Sequence, residues 1–270
     1  MERFIDGIRI ESMGKGEPVL FVHADFLDGG MWKQTMRSLS PEYAVACFDK
    51  RGYGVSEPAP GPICRRRELE AVVLALGAGP VHLVGCSNGG QSSLDLTLES
   101  PELVRSLTLV NSSPSGFLPE GAPPAEILEM MAAAARGDSA AASELQIRIW
   151  FDGPERRPEE LDRSRLEARA EAARMNRIFV ERCTFAIAVP ADPLDPPAIG
   201  RLAEVRAPTL VVSGGLDYAE NRRASRLLAE GIHGARRAVM DDCAHVPPLE
   251  APEAFVSILR EFLGGIGVRS

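Results

Sequence analysis

The chain has 270 residues, 45% of them apolar and 25% charged, and a net charge of −8. That length buries a large core as one domain with room for an insertion, and the acidic balance argues against a nucleic-acid or anionic-membrane partner. Met1 to Asp6 lack the basic and apolar segments of a signal peptide, no apolar run nears the ~18 residues of a membrane span, and five cysteines form no Cys-x-x-Cys pair. Reduced thiols and a cytoplasmic protein are expected.

Phe4-Ile5 and Ile8 to Ile10 flank Asp6-Gly7 as a hairpin. Val19 to Val22 reads as a buried strand ending at His23-Ala24-Asp25, followed by helical spacing over Met31 to Leu39. Tyr43 to Phe48 is a strand, Arg65 to Leu76 a helix with Gly77 as its C-cap, Val81 to Val84 a strand, Gln91 to Glu99 a helix and Val104 to Val110 a strand. From about Pro114 to Ala203 the strand-like runs vanish, and helices are predicted near 125–136, 139–150 and 159–182. Pro-rich 189–197 reads as the return linker. The alternation then resumes with strand Thr209–Val212, helix Glu220–Ala229, strand Arg237–Met240 and helix Pro252–Phe262. Strand–helix alternation predicts an α/β fold with a mostly parallel sheet, whose ligands bind at the carboxyl ends of the strands. The expected division is a core of 1–113 and 204–270, with 114–203 inserted between strands as a helical lid.

The chemistry centres on Gly85-Cys86-Ser87-Asn88-Gly89, between a predicted strand and a predicted helix. So tight a turn lifts Ser87 out of the sheet, demands small neighbours, and leaves the Asn88 amide free at a helix N-terminus. A serine hydroxyl needs a base and an acid that orients it. Of four histidines, His82 lies within a buried strand, His233 in a polar turn and His23 in a loop it is expected to shape. His245 follows the last strand and is the expected base. The strand Leu210-Val211-Val212 ends in Ser213-Gly214-Gly215-Leu216-Asp217, and Asp217 is the expected acid; Asp241 and Asp242 are rivals expected to cap or solvate a turn. The chain order Ser, Asp, His is that of the α/β-hydrolase architecture.

These residues resemble the α/β-hydrolase superfamily. His23-Ala24 stands for the usual His-Gly, Asp49-Lys50-Arg51-Gly52-Tyr53-Gly54-Val55-Ser56 looks like Asp-x-Arg-Gly-x-Gly-x-Ser, and His245 to Pro252 looks like His-x-Pro-x-x-Glu-x-Pro. Leu27-Asp28, Met31-Trp32 and Trp150-Phe151-Asp152-Gly153-Pro154 are similar to small bacterial esterases and enol-lactonase-like hydrolases. The resemblance implies acyl transfer through Ser87, Asp217 and His245, with oxyanion donors at the amides of Asn88 and Asp25. A carboxylate at that second position is unusual, and Asp25 is expected to turn its side chain toward solvent or a basic residue, the alternative being that it recognises a donor or cation on the substrate. Phe26, Trp32, Trp150 and Val246 are the candidate substrate contacts.

No His-Glu-x-x-His and no dinucleotide fingerprint occur, so no metal and no cofactor are expected. A serine at 87, rather than an aspartate, argues against dehalogenase and epoxide-hydrolase chemistry. The leading expectation is a hydrolase of small carboxylic esters or lactones, its partner a small-molecule substrate and the protein a monomer or homodimer. Carbon–carbon bond hydrolysis, cofactor-free perhydrolysis and a silent ligand sensor are the alternatives.

Overall fold

The structure, a computed structural model, describes residues 1–58, 61–182 and 192–267. Strands β1 (Glu2–Ile5) and β2 (Ile8–Met13) form the expected hairpin. They are followed by β3 (Glu17–Val22), α1 (Lys33–Leu39), β4 (Tyr43–Phe48), α2 (Arg65–Leu76), β5 (Val81–Cys86), α3 (Asn88–Glu99) and β6 (Val104–Val110). Between β6 and the next strand come α4 (Ala125–Ala135), α5 (Ser139–Ile147) and α6 (Arg163–Arg182). The chain closes with β7 (Thr209–Gly214), α7 (Ala219–Gly231), β8 (Arg236–Met240), α8 (Pro247–Glu250) and α9 (Pro252–Gly264).

The eight strands form one sheet in the order β1-β2-β4-β3-β5-β6-β7-β8, antiparallel only where β2 meets β1 and β4. Period-two alternation sends Leu20 and Val22 to one face and Val19 and Phe21 to the other, so both faces need cover. Leu69, Val72 and Val73 of α2, Leu94 of α3 and Leu228 of α7 cover the first. Met36 and Leu39 of α1 with Phe255, Leu259 and Phe262 of α9 cover the second. Chain order reverses at β3, which pairs with β4 on one side and β5 on the other. The crevice at their carboxyl ends is the topological switch point where ligands of such sheets bind.

Two boundaries in the inserted helices differ from expectation. The helix predicted over 139–150 ends at Ile147, and Arg148–Asp152 forms a wider turn closed by Gly153 at φ 80°. A side chain at Gly153 would meet the Leu216 carbonyl at 2.6 Å, so the segment packs directly on the loops beneath it. The last helix starts at Arg163 because Asp162 accepts a hydrogen bond from the Arg165 amide at 2.8 Å and caps it. The predicted return linker lies partly outside the described residues. No described helix is long and apolar enough to cross a membrane.

Candidate active site

Ser87 sits between β5 and α3 at φ 55° and ψ −125°, a backbone conformation that costs a residue with a side chain about 1–3 kcal/mol. Its amide donates to the Val110 carbonyl at 2.8 Å, and its own carbonyl accepts from the Gly90 and Gln91 amides. The strain is thus held by β6 on one side and α3 on the other. A Cβ at Gly85 would lie 2.5 Å from the Gly89 carbonyl oxygen, and one at Gly89 2.4 Å from that of Val22. The glycine spacing is what lets β3, β5 and α3 converge. Asn88 opens α3, so its amide has no acceptor within the helix. Cys86 is fully buried behind the turn, and burial pushes its thiol up, away from a reactive thiolate.

His245 and Asp217 come together as expected, with Nδ1 of the imidazole 2.6 Å from Oδ2 of the carboxylate and both residues buried. Oδ1 of Asp217 accepts from the Tyr218 amide at 2.7 Å and the Asn221 side chain at 2.8 Å. Every oxygen of the acid is therefore engaged, which fixes the orientation of the ring it holds. The Cys86 thiol reaches the His245 carbonyl at 3.7 Å, one residue from Ser87. The Ser87 hydroxyl takes part in none of the hydrogen bonds among the described residues. His245 is thus joined to Asp217, with no hydrogen bond to Ser87 among the described residues, a contact that hydrolases often tighten only around substrate. Asp241 and Asp242 lie exposed in the turn after β8, as expected.

The loop after β3 supplies the other wall. His23 is fully buried; burial and the neighbouring Lys50 cation hold its pKa well below the usual histidine value. The neutral ring bonds the Ala24 carbonyl at 2.7 Å through Nδ1 and accepts the Lys50 amide at 3.0 Å on Nε2, so it shapes the loop. Asp25 turns its carboxylate onto the buried Lys50 ammonium and the Asn88 side-chain amide. Burial opposes its ionisation, but the Lys50 charge and hydrogen bond outweigh it and hold Asp25 at about 2. Lys50 lies over the Tyr53 ring, 4.9 Å from its centroid. The Asp-x-Arg-Gly-x-Gly-x-Ser stretch proves to be a brace: Asp49 accepts from the Gly29 amide at 2.9 Å and the Val55 amide at 3.1 Å, while Arg51 binds the Asp6 carbonyl.

Comparison with known proteins agrees with this geometry, since residues 19–258 match the alpha/beta hydrolase family. The chain belongs to that family. It is 29% identical over 269 residues to the 2-hydroxy-6-oxononadienedioate/2-hydroxy-6-oxononatrienedioate hydrolase of Escherichia coli K12, covering 95% of this chain and 90% of that one. A solved N-acyl homoserine lactone degrading enzyme is 27% identical with a TM-score of 0.75, covering 97% of this chain and all of that one. A thermophilic esterase from Thermogutta terrifontis has a TM-score of 0.77 at 24% identity, covering 96% and 93%. The hydrolase therefore resembles small bacterial esterases in fold.

Sequence reasoning missed residues that hold this hydrolase's loops in place. Asn111, just past β6 at φ 43°, accepts from the Gly214 amide at 3.0 Å and donates to the Ala244 carbonyl at 2.9 Å. One side chain thus ties the end of the acid strand to the histidine loop. Its only signal was a polar residue ending an apolar strand. Glu250 is buried and accepts from the Ala244 and Val246 amides that flank His245. Arg156, from the inserted segment, reaches Glu250 at 2.7 Å and also donates to the carbonyls of Phe151, Asp152 and Asp242. The His245 amide in turn donates to the Trp150 carbonyl at 3.2 Å. Glu250 was visible as part of a motif; its partner, 94 residues earlier in the chain, was not.

The candidate substrate contacts divide. The Trp150 ring lies 4.9 Å from the imidazole of His245 and Phe26 6.4 Å from it, so both flank the candidate base. Trp32 instead is fully buried between Phe21 and Phe255, with ring centroids 5.0 and 6.1 Å away. Its place at the base of α1, facing α9, makes it a core residue rather than a substrate contact. Val246 is also fully buried and packs in the same cluster. Among the described residues no group of acidic, histidine and cysteine side chains could hold a metal.

Proposed function

We propose that this hydrolase cleaves small carboxylic esters or lactones through an acyl-enzyme on Ser87. The observation that carries the reading is the strained, half-buried Ser87 in the tight turn after β5, next in sequence to Cys86, whose thiol reaches the His245 of a buried His245–Asp217 pair. In this reading His245 takes the Ser87 proton as the hydroxyl attacks the carbonyl, and Asp217 stabilises the imidazolium. The amides of Asn88 and Asp25 receive the developing oxyanion. His245 then returns the proton to the leaving alcohol and activates the water that releases the acid. Phe26 and Trp150 wall the site, and residues 114–203 serve as its lid. The cytoplasm is the proposed compartment.

The E. coli relative favours a second reading, carbon–carbon bond hydrolysis of a ring-opened dienedioate. Such a dianion wants a free cation, whereas Lys50, Arg65, Arg156 and Arg169 each pair with a carboxylate of the chain itself. Arg148, by contrast, bonds the Gly153 carbonyl at 2.7 Å and makes no ion pair among the described residues, so it is the cation a dianionic substrate would use. The test is hydrolysis of p-nitrophenyl esters of increasing acyl length, a γ-lactone and a dienedioate by wild type and Ser87→Ala. Ester or lactone turnover that falls at least about a thousandfold in the variant is expected. Dienedioate turnover above that of the esters establishes the second reading, and activity surviving in Ser87→Ala removes the nucleophile assignment. A folded wild type that binds these compounds without turnover points to a sensor.

A further inference from the structure

The carboxylate that bonds the side chain of Asn88 is only partly engaged. Asp25 gives one oxygen to the Lys50 ammonium and the other to the side-chain amide of Asn88, the residue after Ser87. An ionised carboxylate offers about four lone-pair sites, so roughly two remain. The two partners of the ion pair differ in setting: the Lys50 side chain is 2% exposed and that of Asp25 is 40% exposed. The cation lies beneath, and the free side of the carboxylate opens next to an exposed Asn88. Lys50 cancels much of the charge of Asp25 at a distance, yet the open lone pairs remain strong acceptors at contact range.

Resting on the reading of Ser87 as nucleophile, we propose that Asp25 selects the substrate by accepting a hydrogen bond from an N–H or O–H on the carbon next to the reacting carbonyl. The favoured class is α-acylamino and α-hydroxy lactones and esters. If the carbonyl oxygen turns toward the amides of Asn88 and Asp25, the neighbouring carbon lies within one side chain's length of the Asp25 carboxylate. A donor there completes an acceptor already held rigid by two partners. A carboxylate there meets lone pairs and is refused. The Lys50 pair keeps Asp25 ionised and aimed, which an isolated carboxylate beside an oxyanion site would not be.

The experiment compares kcat/KM for α-acetamido-γ-butyrolactone, its N-methyl derivative and unsubstituted γ-butyrolactone, with an α-hydroxy ester and its O-methyl ether as a second donor pair. Wild type is expected to favour each donor-bearing compound over its methylated partner by about tenfold to a hundredfold, the range of a hydrogen bond to a charged group. In Asp25→Ala, and in Asp25→Ala combined with Lys50→Met to avoid a lone buried ammonium, both ratios are expected to fall to near one. Ratios near one in wild type, or unchanged in the variants, overturn the proposal. Should the variants fail to fold, the two methylated pairs decide the matter on wild type alone. Hydrolysis of the unsubstituted lactone without preference for a donor overturns this proposal and leaves the Ser87 reading intact. A wild type that turns over p-nitrophenyl esters but none of these compounds overturns this proposal alone, and one that turns over neither set overturns the ester and lactone reading with it.

Discussion

Arg156→Met removes the cation that the inserted segment contributes beneath the histidine loop. Glu250 has a fully buried side chain and meets Arg156 at 2.7 Å, so the variant leaves a carboxylate without its charged partner in the interior. Removing one member of such a pair costs about 3–5 kcal/mol, and the carbonyls of Phe151, Asp152 and Asp242 lose a donor as well. Burial already holds the Glu250 carboxyl above its usual value, with Arg156 opposing that rise. A carboxyl whose folded value is raised contributes stability that is present at low pH and lost as pH rises through that value. Without Arg156 the folded value climbs further, so the deficit should be largest above neutrality. It should shrink in acid by up to about 1.4 kcal/mol per pH unit as Glu250 takes up a proton. Urea unfolding of wild type and variant at pH 5 and pH 8 measures this, with kcat followed in parallel because the Glu250 oxygens hold the amides on both sides of His245. Arg156→Lys keeps the charge and loses the fork, so it should restore the pH-independence of the deficit but not the full stability. A deficit below about 1 kcal/mol, or one equal at both pH values, would refute the reasoning from a buried pair.

Asn111→Ala should destabilise by about 2–4 kcal/mol, because the Gly214 amide and the Ala244 carbonyl are both left unpaired in the interior. Asn111→Gly should cost somewhat less, since glycine adopts φ 43° without strain; equal losses in chemical denaturation would show that the backbone conformation carries no cost. Asp28 is raised to about 6 by burial and by the nearby Asp49. Its ionisation therefore opposes folding, and stability from this group is lost as pH rises from about 4 through 6. Asp28→Asn can still accept from the Gly30 amide, bonded now at 2.8 Å, and should be more stable than wild type at pH 8 by up to about 3 kcal/mol. Thermal melts of the pair at pH 4 and pH 8 check it: the advantage should vanish in acid, and an advantage equal at both pH values would count against it.

Most of the fold was legible because its signals are local. The hairpin of β1 and β2, the bounds of β4, α2 and β6 and the Gly77 cap follow from short-range rules: apolar period, turn residues, and a glycine in the left-handed region at φ 63°. Ser87, Asp217 and His245 were legible as candidates for another reason, since each follows the carboxyl end of a strand and a parallel sheet gathers those ends on one edge. The wide turn at 148–152 was not legible. Its helical spacing simply continues that of α5, and what breaks the helix is a carbonyl of that turn bonding the His245 amide from a distant part of the chain. Trp32 shows the same limit in reverse: an aromatic near a loop suits a pocket wall or a core equally, and only the approach of α9 decided for the core.

The amino-acid order alone determined the strand–helix alternation, the tight glycine spacing around Ser87 and the chain order Ser87, Asp217, His245, because these depend on backbone sterics and on periods of a few residues. Tertiary structure alone decided which side chains aim those groups. Asn111 spanning two loops, Arg156 beneath Glu250, and Lys50 holding the Asp25 carboxylate each join residues far apart in the chain. Hydrogen bonds and ion pairs act over about 3 Å, so such partners become neighbours only once the sheet has assembled.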